Sequence, residues 1–251
     1  MTLQACAELV RRGDPDRFLA TMAARPAARA VLFPLYAFNV EIARAPWLTQ
    51  EVMIAEMRLQ WWRDALEETG AGKTPRAHEV VGPLADVIRT SGLPVDLLDK
   101  LIAARRWDIY KDAFEDAGHF SDYIDRTSGN LAWAAARALG VTSGEGAVRD
   151  IAFASGLANW FLAIPALEAK SRLPLVDGRT DAIRDLAETG LKRLATARPP
   201  AAAKPALLSC WRARALLRQV RADPGRVATG ALGQSEFRRR GSLIWHSLLT
   251  R

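Results

Sequence analysis

Carboxylates, thiols and imidazoles are the groups through which this chain would bind a metal or attack a substrate. Asp108 and Asp112 stand four residues apart, with Glu115 and Asp116 just beyond. On a helix that spacing sets two carboxylates on one face, as a divalent cation requires. Arg105, Arg106 and Lys111 lie beside the pair. Opposite charges pairing along a helix explain the run at least as well as a metal does. His78, His119 and His246 share no metal-ligand spacing. Cys6 and Cys210, the only cysteines, read neither as a zinc site nor as a disulfide scaffold, and fit a reducing compartment. Trp133, Trp160 and Phe161 could line an apolar pocket, and Tyr123 could point into a cavity. Packing in a helical core is the competing reading for each, as it is for Trp61 and Trp62.

These side chains need a scaffold, and almost every segment reads as helix. The chain has 251 residues, 49% hydrophobic and 25% charged, which suits a globular protein with a sizeable core. Asp14-Pro15 supplies a cap followed by proline at the first helical position. Val52, Ala55, Leu59, Trp62 and Leu66 recur at helical spacing, broadened by Ile54, Met57 and Trp61. Such a wide apolar face predicts a helix deep in a bundle. Further helices are predicted over 80–90, from Pro94, from a Ser121 cap to Gly140, and over 144–168, 181–197, 207–220 and 236–249. No period-2 run bounded by turns argues for a sheet. Residues 198–205 read as a Pro/Ala linker, but too little chain follows for a second core, so one all-α domain over 1–251 is expected.

The formal net charge is +7, and the dense basic runs are Arg11-Arg12, Arg105-Arg106 and Arg238-Arg239-Arg240. No nucleic-acid motif accompanies them, so a nucleic-acid partner is not expected. No stretch reads as the roughly 18–20 apolar residues of a membrane span. Phe237, Ile244, Trp245, Leu248 and Leu249 adjoin the last arginine run. That mixture suits peripheral contact with an anionic membrane, or a terminal helix docked on the bundle.

Several ordered motifs resemble the squalene/phytoene synthase family. Leu35-Tyr36-Ala37-Phe38 precedes Met57-Arg58-Leu59-Gln60-Trp61-Trp62-Arg63 at about the family's spacing. Tyr123, Ser128-Gly129, Leu139-Gly140, Gly156-Leu157-Ala158 and Arg172-Leu173-Pro174 follow in the family's order. The resemblance implies an isoprenoid-synthase-like helical bundle and places Tyr36, Tyr123 and Trp160 on its substrate cavity. Family enzymes ionise prenyl diphosphates with magnesium held by two Asp-x-x-x-Asp motifs, because residues four apart share a helix face. Neither motif is intact. The first site falls near Ala43, Arg44 and Trp47, and the second near Leu167, with Glu41 and Glu168 as residual carboxylates. No catalytic residue, metal ligand or cofactor is therefore expected.

Residues Ala37 to Ala43, with Met57 to Trp61, are similar to a non-catalytic branch of the family. That branch holds the mitochondrial respiratory complex I assembly factor with a phytoene-synthase-like domain. The resemblance implies a role in assembling NADH:ubiquinone oxidoreductase, with its subunits or assembly intermediates as partners and an isoprenoid or quinone as candidate ligand. The match begins almost at Met1, which gives the expectation of a bacterial, cytoplasmic protein at the inner face of the membrane. The alternative is a magnesium-dependent prenyl transferase whose Glu41, Asp108, Asp112 and Glu168 converge.

Overall fold

A computed structural model describes residues 2–248, and among them every regular element is helical. α1 (Leu3–Gly13) is capped by Thr2, and α2 (Pro15–Ala23) by Asp14, whose Oδ1 accepts from the Arg17 amide at 2.9 Å. α3 (Pro26–Arg44) also opens on proline and ends in a 3-10 turn, Ala45–Trp47. α4 (Val52–Gly70), α5 (Val81–Ser91) and α6 (Val95–Arg105) follow, α5 stopping at Gly92 in the left-handed region with φ 63°. α7 (Ala117–Ile124) runs through a π-helical turn, Asp125–Gly129, into α8 (Asn130–Ala138). α9 (Glu145–Glu168) and α10 (Thr180–Thr196) are long. α11 (Lys204–Leu207), α12 (Ala213–Ala222), α13 (Gly225–Ala228) and α14 (Glu236–Leu248) complete the order.

Two apolar clusters form most of the core. The first joins α1, α3, α4, α5, α6 and α8 around Leu32, Phe38, Leu98 and Ala135. The second joins α7, α9, α10 and α12 around Phe153, Leu157, Phe161 and Leu217. Fully burying a side chain such as Phe161 stabilises the fold by roughly 1.5–3 kcal/mol. α9 approaches the π turn closely because Gly156 has no side chain: a Cβ there would lie 2.4 Å from Ser128 Oγ and 2.9 Å from Ile124 Cγ2. Arg149 fastens the same junction from the surface side, donating to Asp125 at 2.9 Å and to Asn130 at 2.9 Å.

Four expectations change. Asp116, not Ser121, caps α7, its Oδ1 accepting the His119 amide at 2.7 Å; Ser121 lies inside the helix. The stretch 198–205 is not a free linker, since its small side chains let Ala203 press fully into the core, as Ala206 does just beyond it. The first two turns of α4 are not deep: Met53 and Met57 are 74% and 64% exposed, while Ala55, Leu59 and Trp62 carry the buried side. α9 is long and apolar enough to cross a membrane by length and composition, which the sequence reading passed over. Its partners explain that composition, because α8, α10, α12 and the π turn surround it as a core helix. Of the terminal apolar residues, Leu249 lies outside the described residues.

Candidate functional site

The two clusters meet at a cavity of about 900 Å³, to which the first gives Leu9, Val40 and Leu131 and the second gives Tyr123, Ile124 and Trp160. Ala43, Arg44 and Trp47 line one side from the end of α3, and Ala163, Ala166 and Leu167 line another from α9. The positions of both degenerate acidic motifs therefore face one cavity. Its lining carries five cationic side chains, Arg12, Arg17, Arg44, Arg105 and Lys170, against three carboxylates, Asp14, Glu79 and Asp108.

Each carboxylate near the cavity has its own environment. Asp14 holds Arg17 at 2.5 Å, and the Arg17 guanidinium lies 5.1 Å from the Tyr36 ring centre. Asp108 is buried; it accepts from the Tyr123 hydroxyl at 2.8 Å and from Arg105 at 3.2 Å. Arg105 also donates to the Tyr123 oxygen at 3.1 Å. Burial pushes the Asp108 carboxyl above its ordinary range, against the pull of Arg105 and Tyr123. Burial, and then the Asp108 charge, push the Tyr123 phenol far up as well. Glu79 is exposed. Glu41 is buried behind the lining and sits 2.5 Å from Arg44, an ion pair without hydrogen-bond alignment.

The other expected carboxylates point elsewhere. Glu168 and Asp112 are exposed, and neither lines the cavity. Asp108 and Asp112 do not share a helix face, because the chain leaves α6 through a short 3-10 turn, Arg106–Asp108, and Asp108 turns inward. Among the described residues no three His, Cys, Asp or Glu side chains converge as metal ligands. This donor set does not fit the magnesium cluster of the family's enzymes, which needs several free carboxylates. No histidine or cysteine lines the cavity, so an activated nucleophile of that kind is missing from its wall.

A cation–π contact joins the two sides of the cavity. Lys170, just past α9, places its ammonium 4.3 Å from the Trp47 ring centre, and Arg172 lies 5.2 Å from the same ring. Arg172 is buried and donates to the backbone carbonyls of Asp108 and Tyr110, which pins the 106–110 turn.

Of the expected cavity residues, Tyr123 and Trp160 do line it. Trp160 donates to the Pro174 carbonyl at 2.8 Å, so the Arg172-Leu173-Pro174 motif closes over the aromatic wall. Tyr36 sits behind the lining, and its hydroxyl donates to the Ala206 carbonyl at 3.2 Å. Trp133 and Phe161 belong to the two cores instead. Sequence reasoning missed Arg17, Arg105 and Asn39 as site residues. The i,i+3 spacing of Asp14 and Arg17 was a usable signal; the inward turn of Arg105 had none. Asn39 is 7% exposed, lines the cavity, and its Oδ1 has no hydrogen-bond partner among the described residues. A buried amide oxygen left so is costly unless a water or ligand donor meets it.

Comparison with known proteins fits this architecture. A squalene synthase, HpnC, from Alicyclobacillus acidocaldarius superposes with a TM-score of 0.73 at 17% identity, over 92% of this chain and 95% of that one. A dehydrosqualene synthase solved with a ligand gives 0.73 at 12% identity, over 98% and 95%. These likenesses establish the isoprenoid-synthase-like fold. In sequence, the chain is 26% identical over 171 residues to the bovine (Bos taurus) NADH dehydrogenase (ubiquinone) complex I, assembly factor 6, covering 67% of this chain and 51% of that protein. The Drosophila melanogaster homolog of that factor is 27% identical over 178 residues, covering 68% and 53%. The chain thus spans about half the length of these relatives. The squalene/phytoene synthase family model matches residues 10–177, from the cavity-lining end of α1 through α9 to the segment that closes over Trp160, and the chain belongs to that family.

Proposed function

We propose that the protein is a non-catalytic member of its family that acts in assembly of respiratory complex I. The observation that carries this reading is the replacement of both metal sites within an intact cavity. Arg44 is paired with Glu41 at one site, and Ala163, Ala166 and Leu167 line the other. Without carboxylates to gather magnesium, the leaving diphosphate has nothing to offset its developing charge. The similarity to complex I assembly factors supports the same direction. So does apolar exposure on two elements that pack together, α4 and the turn that ends at Trp47: Leu48, Met53 and Met57 are 52%, 74% and 64% exposed. Flexible methionine side chains suit a surface that a protein partner covers, here a complex I subunit or assembly intermediate. In this reading the protein works in the cytoplasm, at the inner face of a membrane that holds the complex.

The cavity itself is suited to an isoprenoid or quinone ligand held without chemistry. Trp160, Ala163 and Leu167 offer carbon to a tail, while Arg17 and the free Asn39 oxygen offer polar contacts to a head group. Deleting the gene should lower assembled complex I without changing isoprenoid pools, and normal complex I in the deletion strain overturns the proposal. Magnesium-dependent release of diphosphate from farnesyl diphosphate by purified protein would overturn its non-catalytic part. Native mass spectrometry should show a retained apolar ligand, lost on Trp160→Ala substitution.

A further inference from the structure

The C-terminal helix presents an apolar face that the fold leaves open. α14 is held through one side only: Leu243 packs with Ala20, Leu208 and Trp211, and Arg239 pairs with Asp16 at 2.6 Å. Asp16 also pairs with Arg212, so one half-buried carboxylate ties α2, the start of α12 and α14 together. On the far side, Phe237, Ile244, Trp245 and Leu248 are 88%, 61%, 64% and 56% exposed. At about 100° per residue these four and Gly241 fall in one sector, roughly a third of the circumference wide, opposite Leu243. Arg240 and Arg238 fall on the two borders of that sector, and both are exposed.

Scattered exposed apolar residues are ordinary, whereas a continuous stripe holding Trp and Phe calls for a covering surface. The charge pattern says which. Arginines flank the stripe on both sides, while Glu236, the only carboxylate on the helix, is engaged by Arg239 at 2.8 Å and Arg240 at 3.2 Å. The chain as a whole carries +7. With Glu236 and three arginines among its 13 described residues, the helix is too highly charged to cross a hydrocarbon core and would lie in the plane of an interface. We propose that α14 docks the protein on an anionic lipid bilayer. The stripe sinks to the boundary between head groups and acyl chains, and Arg238 and Arg240 reach back to lipid phosphates. This stands on α14 alone and is independent of the assembly role.

The test uses the full chain and vesicles of phosphatidylcholine with or without phosphatidylglycerol. The protein should float with the anionic vesicles, and less so as salt is raised. Brominated anionic lipid should quench the fluorescence of the wild-type chain more than that of Trp245→Phe. Replacing Phe237, Ile244 and Trp245 together by serine should lower partitioning at least about tenfold. The pair Arg238→Gln and Arg240→Gln should lower it roughly twenty-five-fold on anionic vesicles, from about fivefold per arginine, and leave the neutral ones unchanged. The substituted side chains are exposed, so melting temperatures should stay close to wild type, and the quenching measurement reads the unaltered fold. Absence of flotation with anionic vesicles overturns the proposal. So does flotation that survives the triple substitution, or a wild-type dimer that the triple substitution breaks while vesicles bind neither form. That last result would assign the face to a second copy of the chain.

Discussion

On the α3 side the cavity is faced by charge and aromatic surface: Arg44, paired with the buried Glu41, and Trp47. On the α9 side, where the second acidic motif would lie, it is faced by carbon from Ala163, Ala166 and Leu167, with Asn159 a turn earlier as the polar side chain, while Glu168 turns to solvent. The same loss of metal-binding capacity is thus reached by two routes. An arginine repels a cation and occupies the one nearby carboxylate. An alanine-leucine surface simply offers no carboxylate. The contact of Lys170 with Trp47 then links the two sides with a fixed cation. The α9 wall is set by close backbone approach at Gly156, whereas the charge that α3 turns to the cavity is set by the Arg44–Glu41 pair, and this difference can be tested.

The largest effect is expected where α9 meets the π turn. In Gly156→Leu the new side chain must displace Ser128 and Ile124, whose atoms lie 2.4 Å and 2.9 Å from the Cβ position. Overpacking there should cost about 3 kcal/mol and lower the melting temperature by roughly 6–12 °C, measured by calorimetry. A loss under about 1 kcal/mol would mean that α9 is not held by close approach.

Each wall also conceals a phenol. Burial pushes Tyr36, on the inner face of α3, from 10.0 up to about 12, and raises Tyr123, on α7 against Trp160 of α9, further still. The folded phenols bind their protons more tightly than the unfolded ones. Their contribution to stability is therefore complete below pH 10 and is lost as pH rises towards 12, because the unfolded chain ionises first. Denaturant midpoints should be flat on this account up to pH 10 and fall above it. In a Tyr110→Phe background, which removes the exposed tyrosine, tyrosinate absorbance should appear with unfolding and not before. Tyr123→Phe should reduce the alkaline fall, and an unchanged profile would show that the phenol is not shielded as described.

Ion pairing on the α3 wall predicts a smaller change. Arg44→Ala leaves the Glu41 carboxylate buried without its cation and should cost about 1–2 kcal/mol in denaturant unfolding. Arg44 is itself 46% exposed, which limits the figure. Adding Glu41→Leu should recover most of the loss, because the stranded charge is then gone. Leu167→Ala, on the other wall, should couple to neither substitution.

How much of this was legible follows the range of the interactions involved. Helix identity is local, so apolar spacing, Asp14-Pro15 and Gly92 placed α2, α4 and the end of α5 nearly where they fall. The family motifs carried the fold, and the positions of Ala43, Trp47 and Leu167 on one cavity followed from it. What escaped was long-range. The partners of Asp108 and Trp47 arrive from α7 and from beyond α9. The exposure of Met53 and Met57 depends on what does not pack on α4. Tyr36 belongs to a motif, yet its hydroxyl is claimed by Ala206 from the far end of the sequence. Spacing within a helix cannot show such pairings.

The smallest expected effect is none at all, and it bears most directly on the two walls. Placing aspartates on α3 alone, as Arg44→Asp with Trp47→Asp, removes the repelling cation and supplies two carboxylates three residues apart. The α9 wall would still offer carbon, and Asp108 would still be held by Tyr123 and Arg105. Magnesium prefers near-octahedral oxygen coordination and loses its waters reluctantly, so a one-sided pair should bind it no better than the surface does. Calorimetric titration with magnesium chloride should match wild type. Adding Ala163→Asp and Leu167→Asp completes the opposite side, and heat of binding should then appear. If the α3 graft alone binds magnesium, α9 was never the limiting wall, and the arginine by itself accounts for the missing metal site.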